Sequence, residues 1–171
     1  MLVELQGGEG HGLEQDSASV VIEEVELVDS EGRVRNEIAF GDGVTVRIRY
    51  NARRRVERPL FGFRILYKGT QIMEASMLID GYGPDNIEGK GYIECVFNSL
   101  PLTPKVYEIF LFARDALGIA DIIRSGTYAQ FRVTSEGMNR IPTDGPLAIT
   151  HMREGPVVYA PRMWRWGKEE T

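Results

Sequence analysis

Aromatic, guanidinium and amide side chains recur at alternate positions of three stretches in the middle of the chain. They are Arg64 in the first stretch, Phe110, Phe112 and Arg114 in the second, and Tyr128 and Gln130 in the third. An aromatic ring covers the apolar C–H face of a sugar ring, while guanidinium and amide groups hydrogen-bond its hydroxyls. The pattern therefore indicates a carbohydrate-binding surface. The alternative, equally open at this stage, is that a second protomer or the aromatic C-terminal segment covers this face.

The loop 80–86 adds one further candidate. It carries two carboxylates, Asp80 and Asp85, on either side of Tyr82. A calcium site needs several convergent oxygens at a characteristic spacing, which this loop does not match. An ordinary turn is therefore favoured, no metal site is predicted, and Tyr82 is expected at the rim of the sugar-binding surface.

Four arginines, Arg53, Arg54, Arg55 and Arg58, form a basic cluster between two predicted strands. A run of like charge is usually a solvated end of a hairpin. Docking of an acidic partner or a phosphate is the alternative.

Catalytic chemistry finds little support in the sequence. There is no GxxxxGK[ST] phosphate loop, so ATP hydrolysis by that route is excluded. His11 and His151 each lack an orienting partner, and Cys95 is expected to be a small buried hydrophobe. A glycosidase needs two acids placed across a cleft, and nothing in the sequence pairs the acids on the predicted strands. These acids are Glu74, Glu94 and Glu108. We therefore predict a protein without catalytic residues or cofactors.

The candidate residues lie on stretches with the period of β-strands. In 44–51, 60–67, 92–97 and 128–133, apolar residues alternate with polar ones or with a second apolar set. A further strand is predicted over Gln71–Ile79, and Ser30-Glu31-Gly32 closes a first strand that contains Val25 and Leu27.

Residues 106–117 fit a helical and a strand period equally well. Pro101 and Pro104 before this stretch, its content of Tyr, Ile and Phe, and Gly118 favour a strand. Seven or eight short strands and no clear helix predict an all-β, immunoglobulin-like antiparallel β-sandwich. Its predicted core comprises Val46, Ile48, Phe63, Ile65, Ile109, Leu111 and Phe131.

The two ends of the chain differ from this central domain, 19–134. Residues 1–18 are rich in glycine and predict a linker or tail. Residues 135–171 predict a loop and a final strand, which completes the sandwich or is exchanged with a partner. The apolar side chains expected at a dimer interface there are Val157, Tyr159, Trp164 and Trp166.

Charge and hydropathy exclude two classes of partner. The chain has 20 Lys and Arg against 25 Asp and Glu, a net charge of −5, whereas nucleic-acid binders are normally basic. No run of about 18 apolar residues could cross a membrane, and the N-terminus has no signal-peptide pattern. With a single cysteine, the expectation is a cytoplasmic domain.

Several stretches, taken in order, resemble one family. They are Val25-Glu26-Leu27-Val28-Asp29-x-x-Gly32, Phe40-Gly41-Asp42-x-Val44-x-Val46-x-Ile48-x-Tyr50, Phe61-Gly62-Phe63-x-Ile65, Gly89-x-Gly91, Phe97-x-x-Leu100-Pro101-Leu102-x-Pro104, Tyr107, Gly155-Pro156-Val157 and Trp164. The chain resembles the C-terminal carbohydrate-binding domain of O-antigen polysaccharide ABC transporter ATPases of the Wzt type. Lys105 departs from the family pattern, at a turn.

The resemblance implies an immunoglobulin-like sandwich that forms a homodimer by exchanging C-terminal strands. Such a domain follows a nucleotide-binding domain and works with a transmembrane transporter subunit at the inner face of the inner membrane. The implied ligand is the non-reducing end of a lipid-linked O-antigen glycan. The competing interpretation is a dimerisation or protein-interaction module that binds no glycan.

Overall fold

The computed structural model describes residues 18–138 and Val158 of the 171-residue chain. Nine strands and one short helix make up this described part. They are β1 (Val20–Val28), β2 (Val34–Arg35), β3 (Glu37–Ala39), β4 (Val44–Glu57), β5 (Leu60–Tyr67), β6 (Thr70–Ser76), α1 (Met77–Asp80), β7 (Asn86–Phe97), β8 (Val106–Arg114) and β9 (Gly126–Thr134).

The strands form two sheets, which confirms the predicted β-sandwich. The first sheet has the order β2-β1-β4-β7, and the second has the order β3-β9-β8-β5-β6. β3 pairs with β9 in parallel, with Glu37 opposite Arg132 and Ala39 opposite Thr134. The sequence pattern revealed neither β2 nor β3, because strands of two and three residues are too short to show a period.

One compact unit comprises residues 18–26, 46–95 and 108–129. Alternate residues of its strands turn inward, and the ring of Tyr50 on β4 lies 5.8 Å from the ring of Phe61 on β5. The ambiguous stretch 106–117 is a strand as far as residue 114, where β8 ends, since Ile109, Leu111 and Ala113 are fully buried at alternate positions. The predicted core is confirmed, including Phe131 in the other unit: all seven of its side chains are buried.

The second unit comprises residues 27–45, 96–107 and 130–138, with Val158. The buried ring of Tyr107 stacks on Phe131 at 5.5 Å, and its hydroxyl donates to the Thr103 carbonyl at 2.8 Å. The turn after β1 is built on Asp29, whose carboxylate accepts hydrogen bonds from the backbone and side chain of Arg33 and from Arg35. These bonds hold the pKa of Asp29 well below its usual range.

The predicted strand Gln71–Ile79 is wrong in its last three residues. β6 ends at Ser76, whose Oγ accepts from Leu78 N at 3.3 Å and so caps the short helix α1. Gly81 closes the helix with φ of +77°, and its N–H donates to the Met77 carbonyl at 2.9 Å. Both caps are visible in the sequence, but the apolar run of 77–79 obscured them.

Several predictions fall on residues outside the described part. They concern residues 1–17, His11, His151, Val157, Tyr159, Trp164 and Trp166. Val158 is described, and it forms an isolated antiparallel bridge with Leu102. In the described part of the chain, no helix has the length and hydropathy needed to cross a membrane.

Candidate functional site

Three neighbouring strands of the second sheet place the candidate residues side by side. β5 lies between β6 and β8, and Arg64 on β5 is directly opposite Glu74 on β6 and Phe110 on β8. Two residues earlier, Gly62 is opposite Phe112. Residues that are distant in sequence are therefore neighbours on the face that turns away from the core.

Arg64 is the centre of this arrangement, which we call the Arg64 cluster (Arg64, Glu74, Phe110, Phe112 and Arg114). Its Nε donates to Glu74 Oε2 at 3.0 Å, and its guanidinium lies 5.1 Å from the Phe112 ring centroid and 5.9 Å from that of Phe110. An ion pair and two cation–π contacts thus fix the side chain. Its two terminal nitrogens have no hydrogen-bond partner among the described residues and remain available as donors.

The Phe112 ring rests on the backbone of β5 at Gly62. A Cβ atom at position 62 would lie 2.5 Å from Phe112 Cζ, which is closer than van der Waals contact allows. Only glycine therefore permits this ring position. The consequence is a flat aromatic surface that lies against the sheet and carries the Arg64 guanidinium above it.

Arg114 ends β8 and faces the loop 115–121. Its Nη1 donates to the Gly118 carbonyl at 3.1 Å, while its Nε lies 3.7 Å from Asp121 Oδ1 and is buried without a hydrogen-bond partner in the described part of the chain. The loop is shaped by Asp115, whose Oδ1 accepts from the N–H groups of Ile119 and Ala120. These bonds, led by that from Ile119, lower the pKa of Asp115.

A small pocket opens between Arg64 and Arg114. We call it the inner pocket, and its volume is about 90 Å³. It is lined by Leu60, Arg64, Glu74, Ser76, Leu78, Phe112, Arg114 and Gly118. Its walls therefore combine charged, hydroxyl and apolar groups, which is the combination expected of a site for a partly polar ligand.

A larger pocket of about 330 Å³ adjoins it, and we call this one the outer pocket. Leu60 and Leu78 line both pockets and so form their common wall. Tyr82 lines the outer pocket together with Pro59, Met77 and Pro84, and the residue is 77% exposed. The place of Tyr82 at the rim of a sugar-binding surface stays a prediction.

Tyr128 and Gln130 on β9 line neither pocket. The Tyr128 hydroxyl donates to the Arg124 carbonyl at 2.6 Å, and burial raises the pKa of its phenol. Gln130 is exposed and belongs to the second unit. The two residues thus lie outside the group formed by Arg64, Phe112 and Arg114.

Two of the acidic residues and the basic cluster that the sequence singled out are engaged in contacts within the protein. Glu94 accepts a hydrogen bond from Arg47 Nε at 2.7 Å, and Glu74 pairs with Arg64. Both carboxylates are therefore held in ion pairs. In the basic cluster, Arg54 donates to Ser19 Oγ, Arg55 pairs with Glu57, and Arg58 lines the outer pocket.

The expectation that Cys95 is a buried small hydrophobe is only partly correct, because its side chain is about half-buried. Desolvation, with a smaller contribution from Asp80, raises the pKa of its thiol and lowers its reactivity.

Comparison with known proteins gives one family match and matches to solved structures, two of which follow. A family model described as "Wzt C-terminal domain" matches residues 13–145. The crystal structure of the C-terminal domain of wzt matches with a TM-score of 0.59 and 9% identity, covering 69% of this chain and 75% of that chain. A Niemann-Pick type C2 protein from Japanese carpenter ant matches with a TM-score of 0.49 and 8% identity, over 71% of this chain and 98% of that one. No curated protein matches.

The likeness to the wzt structure concerns the fold, since at this identity little else is comparable. The family match extends over most of the chain and covers every strand described above. This chain therefore belongs to the Wzt C-terminal domain family.

Proposed function

We propose that this domain is a non-catalytic module that binds the non-reducing end of a lipid-linked O-antigen glycan. The binding surface is the outer face of β5 and β8, with Arg64, Phe110, Phe112 and Arg114 at its centre and Tyr82 at its rim. Tyr128 on β9 extends this surface. Membership of the Wzt C-terminal domain family supports this assignment, as does the mixture of aromatic and hydrogen-bonding groups.

The observation that carries the proposal is the state of Arg64. Its guanidinium is held in place by Glu74, Phe110 and Phe112, yet its terminal nitrogens have no hydrogen-bond partner in the described part of the chain. A side chain that is fixed in advance loses little conformational entropy when it binds a ligand.

The expected affinity is weak, with a Kd in the range of roughly micromolar to millimolar. The site is shallow, and sugar hydroxyls exchange water for protein at small net gain. Salt should have little effect, because Arg64 and Arg114 already lie beside Glu74 and Asp121.

In the cell, the domain would follow a nucleotide-binding domain and act with a transmembrane transporter subunit. Recognition of the finished glycan at the cytoplasmic face of the inner membrane would then license its export during lipopolysaccharide biosynthesis. The family assignment supports this context.

A calorimetric titration with the O-antigen polysaccharide of the source organism tests the proposal. Phe112→Ala should abolish binding while the protein remains folded by circular dichroism. Tyr92→Ala is the matched control, because Tyr92 is an exposed aromatic residue on β7 and lines neither pocket. Polysaccharide binding that is equal in both variants would place the site elsewhere, and no binding to the unmodified protein would refute the function.

A second candidate function is homodimerisation or another protein interaction. β7 is the last strand of its sheet, and Tyr92 and Val96 are exposed on it. An exposed edge strand with apolar side chains favours pairing with another chain. The predicted interface residues Val157, Tyr159, Trp164 and Trp166 would contribute the apolar cover, and in an exchanged dimer the partner's chain would form the bridge between Leu102 and Val158.

Light scattering on a variant truncated before Gly155 separates the two functions. Loss of the dimer with retained glycan binding would show that dimerisation and recognition are independent. A well-folded dimer that survives the truncation would refute the role of the C-terminal segment.

A further inference from the structure

The inner and outer pockets differ in size in a way that restricts the ligand. The inner pocket, at about 90 Å³, is smaller than the cavity of about 150 Å³ that holds a benzene ring in another protein. It therefore has room for a small substituent but not for a sugar ring. The outer pocket, at about 330 Å³, has the size of a small-molecule site and carries the exposed ring of Tyr82.

The walls of the inner pocket contain three kinds of group. Leu60 and Leu78 provide an apolar wall. The terminal nitrogens of Arg64 are hydrogen-bond donors without a described partner, and the Ser76 hydroxyl accepts from Leu78 N while its own O–H has no acceptor among the described residues. Glu74 Oε2 accepts hydrogen bonds from Arg64 and Gln71, whereas Glu74 Oε1 accepts none from the described residues.

The charges of the site are balanced. Arg64 faces Glu74, and Arg114 lies 3.7 Å from Asp121. An anionic substituent bound to the free guanidinium nitrogens of Arg64 would lie beside the Glu74 carboxylate, and the repulsion between the two like charges is unfavourable. A neutral carbonyl oxygen accepts from the free guanidinium nitrogens without displacing Glu74.

We infer that the inner pocket binds an acetamido substituent of a sugar whose ring lies in the outer pocket against Tyr82. The methyl group of the substituent contacts Leu60 and Leu78, its carbonyl oxygen accepts from Arg64 or Ser76, and its N–H donates to Glu74. This inference rests on the proposed glycan-binding function and specifies its ligand class as an N-acetylated sugar.

Titrations of the full chain with matched sugars test the inference. The probes are the methyl glycosides of N-acetylglucosamine and glucose, the corresponding galactose pair, an O-acetylated glucose and glucose 6-phosphate. In at least one pair, the acetamido sugar should bind about tenfold more tightly or better, because it adds a buried methyl group and two hydrogen bonds. In saturation-transfer NMR, the acetyl methyl protons should receive the strongest signal.

A pair of variants locates the effect. Leu78→Ala removes part of the apolar wall at an exposed helix position and should reduce the preference for the acetamido sugar about fourfold. Leu117→Ala changes an exposed leucine that lines neither pocket and should leave the preference unchanged. An equal preference for the acetamido sugar in the two variants would show that the substituent does not bind in the inner pocket.

The outcomes separate this inference from the proposed function. Equal affinity within both pairs, equal or tighter binding of the O-acetylated sugar, or tighter binding of the sugar phosphate would overturn the acetamido assignment. Binding of the O-antigen polysaccharide without binding of either acetamido sugar would also overturn it and leave glycan recognition intact. Failure of the polysaccharide itself to bind would refute the proposed function.

Discussion

The two faces of β8 carry very different side chains within one strand of nine residues. Ile109, Leu111 and Ala113 on the inner face are completely buried. Phe110 and Phe112 on the outer face are only partly covered, and the guanidinium of Arg64 lies against both rings. The inner face is thus specified by burial, which any apolar side chain of the right volume satisfies, whereas the outer face depends on particular neighbours.

This difference separates what determines the fold from what determines recognition. Loss of an inner residue leaves a cavity, and its cost falls on stability. Loss of an outer residue removes a contact surface or a donor, and its cost falls on binding. Four substitutions test this division.

Leu111→Ala should have the largest effect, a loss of about 2–5 kcal/mol in the free energy of unfolding, because a fully buried side chain is truncated. Urea denaturation measures the change. Val106→Ala on the same strand is the control, since Val106 is exposed and should change stability by less than about 0.5 kcal/mol. A loss of similar size for both variants would contradict the assignment of the inner face.

Gly62→Ala should cost about 1–3 kcal/mol and shift the Phe112 ring, because the new Cβ would overlap Phe112 Cζ. The same substitution at Gly126 is the control, since no atom lies within 4 Å of a Cβ there. Thermal unfolding and the aromatic NMR signals of Phe112 report the two effects. Unchanged Phe112 signals in Gly62→Ala would show that the ring does not rest on β5.

Glu74→Gln should lower stability by no more than about 1 kcal/mol, because the ion pair with Arg64 is partly exposed. It should weaken glycan binding all the same, since Arg64 loses the partner that fixes it. Glu57→Gln removes the more exposed pair with Arg55 and should change neither property. If Glu74→Gln lowered stability by several times the expected amount and left glycan binding intact, the ion pair between Arg64 and Glu74 would have a structural role only.

Asp115→Asn should have the smallest effect, and it should appear only as a pH dependence. The pKa of Asp115 is lowered below its ordinary value of 3.8 by backbone hydrogen bonds, so the carboxylate stabilises the folded loop above that pH. This contribution is lost as the pH falls through the lowered pKa of the folded state. Acid titrations of thermal stability should therefore be steeper for the unmodified protein below about pH 4. Superimposable curves would mean that the loop does not depend on the charge.

The strands were largely predictable from the sequence because alternation is a local property. Val46, Ile48 and Phe63 each stand in a clear period of two, and each is buried. The parallel pairing of β3 with β9 and the helix α1 were not predicted, since the first depends on distant residues and the second on two capping residues within an apolar run.

The candidate site was predictable only in part. Alternation placed Phe110, Phe112 and Arg114 on one outer face, but it could not show that β6 lies beside β5 and brings Glu74 to Arg64. Leu60 and Leu78 were missed for the same reason. Gly62 was the one local signal, because a glycine inside a strand often marks the close approach of another group.

The parallel pairing of β3 with β9 has a consequence for the synthesis of the protein. Residues 37–39 leave the ribosome long before their partners 132–134, and they have no other neighbouring strand in the sheet order. Chains are made at roughly 5–20 residues per second, so β3 waits several seconds for β9. Contacts between such distant segments also slow folding once the chain is complete. We therefore expect the pairing of β3 with β9 to be a late step in the closure of this sheet.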